Sequence, residues 1–133
     1  MNIVLFIHQD SSENGARLKE IIEHKFNKTA LQTLHTFNAF KERLKAVPDY
    51  DKEIFILLAD SKHRLNDLIV LADLLDDKRI LLILPDDSQA TLQEAHRLFP
   101  RFLTSMSSTY EDVCSVLTKM IRQGKNKSGK TEE

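Results

Sequence analysis

Several aspartates follow the predicted central strands of this chain, and their carboxylates are its best candidates for chemistry. These residues are Asp10, Asp60, Asp86 and Asp87. Clustered carboxylates can bind a hard divalent cation such as Mg²⁺, which prefers oxygen ligands. An aspartate beside such an ion can also attack a phosphoryl group, because the metal offsets charge on the transferred oxygens. The pattern predicts a weak Mg²⁺ site at Asp10 and Asp60, and no other cofactor.

Helix capping explains two of these aspartates better than ligand binding does. Asp86 and Asp87, with Ser88, stand between an apolar run and a segment of helical periodicity. Side-chain oxygens at such a point accept hydrogen bonds from the free amides of the first helical turn. Asp60 differs because it ends the most apolar segment of the chain, which begins at Glu53. We therefore take Asp60 as the principal candidate site residue.

Five apolar runs alternate with five segments whose apolar residues recur at helical spacing, and this alternation predicts the fold. The predicted strands are Ile3–Ile7, Ala30–Thr36, Glu53–Asp60, Ile80–Leu84 and Phe102–Ser107. Strict alternation of strands and helices implies right-handed crossovers and a parallel sheet. The sequence therefore predicts one α/β domain over residues 1–123, followed by a tail over 124–133 that is too polar to fold.

The polarity of the strands predicts their order in the sheet. Strands one, three and four are wholly apolar, as expected of strands covered on both faces, whereas strands two and five are mixed and belong at the edges. With sequential neighbours favoured, the order is 2-1-3-4-5, a flavodoxin-like three-layer fold. Its switch point, where such sheets bind ligands, lies between strands one and three. His8, Gln9 and Asp10 would lie there beside Asp60.

Composition excludes several classes of partner. The formal net charge of −1 gives no reason to expect nucleic acid or a membrane surface as a partner. The apolar runs are too short to span a bilayer, and we expect no signal peptide before the first strand. Cys114 is the single cysteine of the sequence, which excludes an internal disulfide and favours a reducing, cytoplasmic location.

The order and length of the β-α units resemble a bacterial response-regulator receiver domain over most of the chain. Asp60, after Ile-Phe-Ile-Leu-Leu-Ala, matches the aspartate that accepts phosphate from a histidine kinase in that family. Asn66-Asp67-Leu68 falls where the family often has Met-Asp-Gly, and Phe102-Leu103-Thr104-Ser105-Met106 resembles its Tyr-Leu-Thr-Lys-Pro. The resemblance implies a role in two-component signalling and places Asp60 at the phosphoacceptor position of a phosphorelay.

The chain departs from the receiver pattern at the residues that would assist phosphorylation. Ser105 replaces the lysine that bridges to the modified aspartate, and Leu84 or Pro85 stands where a switching hydroxyl is expected. The acidic pair after strand one has become His8-Gln9. The resemblance therefore implies a stand-alone pseudo-receiver, which binds a signalling protein, is not an enzyme and takes phosphate weakly or not at all.

Two other functions stay open from the sequence. The domain could be a working receiver that takes phosphate on Asp60. It could instead be a flavodoxin-like protein that binds flavin or a nucleotide, since the segment Ser11–Gly15 aims backbone amides at an anion from a helix N-terminus. The sequence allows a homodimer without requiring one.

Overall fold

A computed structural model describes residues 2–9, 12–27, 29–45, 53–106 and 109–130, with side chains at all of these positions except 12 and 123–130. Its strands are β1 (Asn2–Phe6), β2 (Ala30–Leu34), β3 (Glu53–Leu58), β4 (Ile80–Leu84) and β5 (Phe102–Ser105). Its helices are α1 (Ser12–Lys25), α2 (Phe37–Lys45), α3 (Lys62–Val70), α4 (Ala72–Leu75), α5 (Gln89–Ala95) and α6 (Glu111–Lys130). A 3₁₀ turn, His96–Leu98, follows α5.

The five strands form one parallel sheet in the order β2-β1-β3-β4-β5, which confirms the predicted topology and the flavodoxin-like α/β fold. Every residue of β3 and β4 is buried, and so is β1 after Asn2. The edge strands β2 and β5 keep part of their surface exposed. The polarity of each run therefore corresponds to its place in the sheet, because only central strands are covered on both faces.

Helices cover both faces of the sheet and divide the core into two layers. On one face, α1 and α6 bury Leu18, Ile22, Val113 and Leu117 against strand residues such as Ile56. On the other face lie α2 to α5, whose core residues include Phe40, Leu44, Leu65, Leu68, Leu75 and Ala95. Successive strand side chains point to opposite faces, so each central strand contributes to both layers.

Several element boundaries differ from the sequence prediction. β2 ends at Leu34 instead of Thr36, because Thr36 caps α2 by accepting from the Ala39 amide at 3.1 Å. The sequence predicts one helical segment between the third and fourth strands, whereas the structure divides it into α3 and α4 at Leu71, where the backbone has φ −92° and ψ 11°. β5 ends at Ser105, and the predicted continuation to 107 reaches residues outside the described ranges. α6 continues to Lys130, so position 124 is no break in secondary structure, and disorder of the tail stays a prediction.

Candidate functional site

Asp60 lies at the carboxyl edge of the sheet, two residues beyond β3. The amide of Ala59, just before it, donates to the Ile83 carbonyl at 2.8 Å and ties this segment to β4. On the other side, Leu57 of β3 is in register with Phe6 of β1. Asp60 therefore follows β3 at the switch point between β1 and β3, the position at which parallel α/β sheets bind ligands.

The carboxylate of Asp60 is held in an ion pair with Arg64. Oδ1 of Asp60 accepts from Nε of Arg64 at 3.2 Å. The side chains are 19% and 12% exposed, respectively, so water screens this pair less than it would a surface pair. The four-residue spacing brings the two side chains together because Arg64 lies in the first turn of α3, directly after Asp60.

Two contacts hold Arg64 in this position. The hydroxyl of Ser61 caps α3 by accepting from the Arg64 amide at 3.1 Å, which fixes the backbone between the two charged residues. The guanidinium carbon also lies 6.0 Å from the centre of the Phe37 ring, within the range of a cation–π contact. Arg64 is therefore packed against α2 as well as paired with Asp60.

Aromatic side chains form the β1 side of this edge. The His8 ring is 5.5 Å from Phe37 and 6.4 Å from Phe6, centre to centre. Phe6 stacks on Phe40 at 4.7 Å, deeper in the core. His8 is thus half-buried against an aromatic group, whereas Gln9 is exposed. This part of the edge therefore presents an imidazole packed against aromatic rings and an exposed amide, and no acidic pair among the described residues His8 and Gln9.

Ser105 lies at the end of β5, beside a groove of about 240 Å³. Its lining residues are Leu84, Asp86, Asp87, Leu92, Leu103, Thr104 and Ser105. The rim is acidic and the wall is partly apolar, so the groove contributes no positive charge that could bind an anion. The order of the strands places this groove beyond β4, away from the switch point between β1 and β3.

Ser88 is the N-cap of α5, and Asp86 stabilises this cap from the loop before the helix. Oδ1 of Asp86 accepts from the Ser88 amide at 2.9 Å. The hydroxyl of Ser88 in turn accepts from the Thr91 amide at 3.3 Å and donates to the Thr91 hydroxyl at 2.9 Å. Hydrogen bonds from Thr91 and Ser88 lower the pKa of Asp86 to about 2. The Asp86 carboxylate therefore stabilises the start of α5 through its hydrogen bonds to Ser88 and Thr91.

The low pKa of Asp86 makes a testable prediction about acid stability. Because the folded-state pKa lies below the usual 3.8, ionised Asp86 contributes stability above pH 3.8, and that contribution is lost as the pH falls through about 2. We expect the carboxyl carbon of Asp86 to titrate near pH 2 in an NMR titration. The Thr91→Val variant removes the first of the responsible hydrogen bonds and should raise that midpoint. A wild-type midpoint near 3.8 would contradict the assigned capping geometry.

Metal binding at this edge depends on a residue outside the described ranges. Among the described side chains, no group of three or more His, Cys, Asp and Glu residues converges as a metal site requires. Asp10 falls at a position that the structure does not describe. Its predicted place beside Asp60, and the weak Mg²⁺ site that the two would form, therefore stay predictions.

The sequence interpretation did not identify the partner of Asp60. In the structure that partner is Arg64 of the same chain. A usable signal was present, since acidic and basic residues four positions apart at the start of a helix commonly pair. The contact between Arg64 and the Phe37 ring could not be predicted from the sequence, because Phe37 belongs to a different helix.

Comparison with protein-family models, curated proteins and solved structures finds no significant match to this chain. The likeness to a receiver domain therefore rests on topology and on the residues quoted above. In the part of the chain that the structure describes, no helix combines the length and apolar character needed to cross a membrane.

Proposed function

We propose that this chain is a pseudo-receiver-like signalling domain of the cytoplasm that binds a protein partner without requiring phosphorylation, and that it has no enzymatic activity. The observation that carries the proposal is the ion pair between Asp60 and Arg64. A carboxylate that attacks phosphorus must present an oxygen to the incoming group. The guanidinium of Arg64 binds one of the two carboxylate oxygens of Asp60, Oδ1, at 3.2 Å, and its positive charge makes the whole carboxylate a weaker nucleophile.

The surroundings of the pair favour its persistence. Displacing Arg64 from Asp60 would also remove the guanidinium from the Phe37 ring. Both side chains are mostly buried, so separating them would leave two charges with restricted access to water. An incoming phosphoryl group would have to compete with an intramolecular partner that is present at every moment. We therefore infer that Arg64 neutralises Asp60 constitutively, and so takes the place that a bound metal ion occupies in a receiver.

The other positions of the receiver pattern support the same proposal. Ser105 supplies a hydroxyl where the family has a lysine, so it cannot offset the charge of an acyl phosphate. Leu84 is 1% exposed and carries no hydroxyl that could follow a phosphate. His8 packs against Phe37, where the family has a metal-binding carboxylate. A domain with these groups has little means to convert a modification of Asp60 into a conformational change.

Phosphorylation of Asp60 is expected to be absent or very weak. We would incubate the protein with acetyl phosphate and Mg²⁺ and measure its intact mass. The expected result is no adduct of about 80 Da, the mass of one phosphoryl group. Acetylated lysines give a different mass increment, so they would not be mistaken for this adduct. An 80 Da species of that kind that disappears in Asp60→Asn would overturn the proposal and favour a working receiver.

The Arg64→Gln variant separates the two reasons for the expected inactivity. An adduct that forms in this variant alone would show that Arg64 blocks Asp60. An unmodified variant would show that the missing lysine and hydroxyl suffice to prevent the reaction. The protein-binding part of the proposal is tested separately: an immobilised domain should retain the same partner with and without acetyl phosphate, and with Asp60→Asn.

The flavin or nucleotide alternative receives no comparable support. Ligand pockets of that kind usually enclose roughly 300–1,000 Å³. At the carboxyl edge of the sheet, where this fold binds such ligands, the groove beside Ser105 has a volume of only about 240 Å³, and its rim carries Asp86 and Asp87, which would repel a phosphate. We expect a purified protein without visible absorbance and without bound nucleotide in native mass spectrometry. A yellow preparation would favour the ligand-binding function instead.

A further inference from the structure

The outer edge of β2 has the features of a strand that accepts another strand. Among the described residues, β2 pairs with β1 alone. The Leu34 carbonyl accepts from the Ile7 amide, so in a regular parallel ladder the alternate residues Leu31 and Thr33 direct their N–H and C=O groups away from β1. The strand Ala-Leu-Gln-Thr-Leu contains no charged residue and no proline, the residues that usually prevent pairing at a sheet edge.

A groove lies along this edge on the α1 side of the sheet. It has a volume of about 470 Å³ and is lined in part by Lys19, Glu23, Phe26, Leu31 and Thr33. Phe26 and Leu31 are only partly buried, which leaves an apolar floor beside the open strand. Lys19 and Glu23 stand on the rim, 3.7 Å apart and 43% and 50% exposed. The groove therefore combines open backbone, apolar surface and one charge of each sign.

We propose that this edge binds a second copy of the chain, through an antiparallel, two-fold pairing of the β2 strands centred on Gln32. In that register, Leu31 of each copy is opposite Thr33 of the other. Both residues direct their backbone groups outward, so each such pair exchanges both N–H···O bonds. The sheets of the two copies would then become continuous. This inference does not depend on the function proposed above.

The charges on α1 are what favour a second copy over an unrelated partner. A two-fold interface brings the same patch of both molecules together, so the patch must complement itself. Lys19 and Glu23 line the same groove as Leu31 and Thr33. Four helical residues and two strand residues both span roughly 6 Å, so the two pairs match in length along the edge. In the antiparallel arrangement, Lys19 of each copy therefore faces Glu23 of the other.

The opposite side of β2 presents no obstacle to this pairing. The side chain of Gln32 lies on the α2 side, where Nε of Arg43 donates to its Oε1 at 2.8 Å. The charge of Arg43 is matched by Glu53 within the same copy. The other sheet edge, β5, is shorter and follows Pro100 and Arg101, features that discourage strand addition. The β2 edge is therefore the one that fits a second copy.

Sedimentation velocity of the full chain tests the proposal, over concentrations from about 1 μM to about 500 μM, which suit a small specific interface. We expect the weight-average sedimentation coefficient to rise with concentration from that of a 15.3 kDa monomer toward that of a dimer. Thr33→Pro removes an outward amide without touching the β1 ladder, so it should keep the protein folded and abolish the rise. A wild-type protein that stays monomeric throughout would overturn the proposal.

Charge reversal provides a second test that does not depend on the proline variant folding. Lys19→Glu and Glu23→Lys each place like charges opposite one another, so each alone should weaken dimerisation about tenfold. Mixing the two variants should restore dimerisation, because one carries two acidic and the other two basic side chains at these positions. A wild-type dimer that Thr33→Pro, the single reversals and their mixture all leave unchanged must use another face, and would also overturn the proposal.

Discussion

Replacing Leu58 with aspartate is expected to prevent the domain from folding. Leu58 is 0% exposed and lies in the buried layer between the sheet and α1 and α6. A carboxylate there would have no cation to pair with among the apolar side chains of that layer. Burying such a charge costs several kcal/mol, against a total stability of roughly 5–15 kcal/mol for a domain of this kind. Circular dichroism should show loss of helical signal, and expression should give insoluble protein.

The Val70→Asp variant is the matched control for this experiment. It introduces the same charge at a position that is 82% exposed, near the end of α3. Its stability should stay within about 1 kcal/mol of the wild type, because exposed substitutions change little and the helix dipole adds only a small penalty. A Leu58→Asp protein with normal solubility and an unchanged melting curve would show that β3 is not a central strand.

The fold could be predicted because burial acts on whole segments. Residues 54–58 of β3 and Ile80–Leu84 are so apolar that each run must be covered on both faces, which assigns them to the middle of a parallel sheet. β2 keeps Gln32 and Thr33, so it belongs at an edge. These inferences depend on the combined polarity of several residues in each strand. A local error in a strand boundary, such as that at Thr36, therefore does not change them.

The candidate site could be predicted only in outline, because its properties come from single contacts. Topology sufficed to place Asp60 at the carboxyl edge of the sheet. The state of its carboxylate depends on the rotamer of Arg64 and on Phe37, which approaches from α2. No periodic pattern encodes such a contact. For the same reason, the sequence could suggest that the segment around Asp86 caps a helix but could not show that the Thr91 side chain hydrogen-bonds Asp86.

The site at the carboxyl edge and the open edge of β2 are on different parts of the fold, and they give the proposed signalling role two separable components. In the proposed function, the internal pair of Asp60 and Arg64 removes the need for a phosphate. The β2 edge and Lys19 and Glu23 would join two copies without involving that pair. Dimerisation should therefore be unaffected by Asp60→Asn, whereas Thr33→Pro should leave the partner binding of a single domain intact.

A second ion pair, at the amino edge of the sheet, connects three elements of the fold. Arg43 on α2 is hydrogen-bonded to Glu53, the first residue of β3, and its Nε donates to Gln32 on β2 at 2.8 Å. β1 lies between these two strands, so Arg43 reaches across it. The guanidinium carbon is also 5.9 Å from the centre of the Phe55 ring. Glu53 is 6% exposed and Arg43 is 19% exposed. Water therefore reaches the carboxylate less than the guanidinium, so Glu53 depends more strongly on the ion pair than Arg43 does.

Arg43→Met is expected to destabilise the protein by about 3 kcal/mol, because it leaves the Glu53 carboxylate buried without a counter-charge. Thermal unfolding followed by circular dichroism should show a melting temperature lower by roughly 10 °C. Glu53→Gln should cost less, since an amide oxygen can still accept from Arg43, and Arg43 retains Gln32 and some access to water. The order of these two effects follows from the unequal burial of the partners.

The double variant Arg43→Met with Glu53→Leu should recover most of the stability lost in Arg43→Met. Removing both charges leaves no unpaired carboxylate, and methionine can pack against the Phe55 ring that the guanidinium covers in the wild type. A double-mutant cycle measures this recovery directly. If Arg43→Met melted at the wild-type temperature, or if the double variant were no more stable than Arg43→Met, the loss could not be assigned to a stranded charge at Glu53.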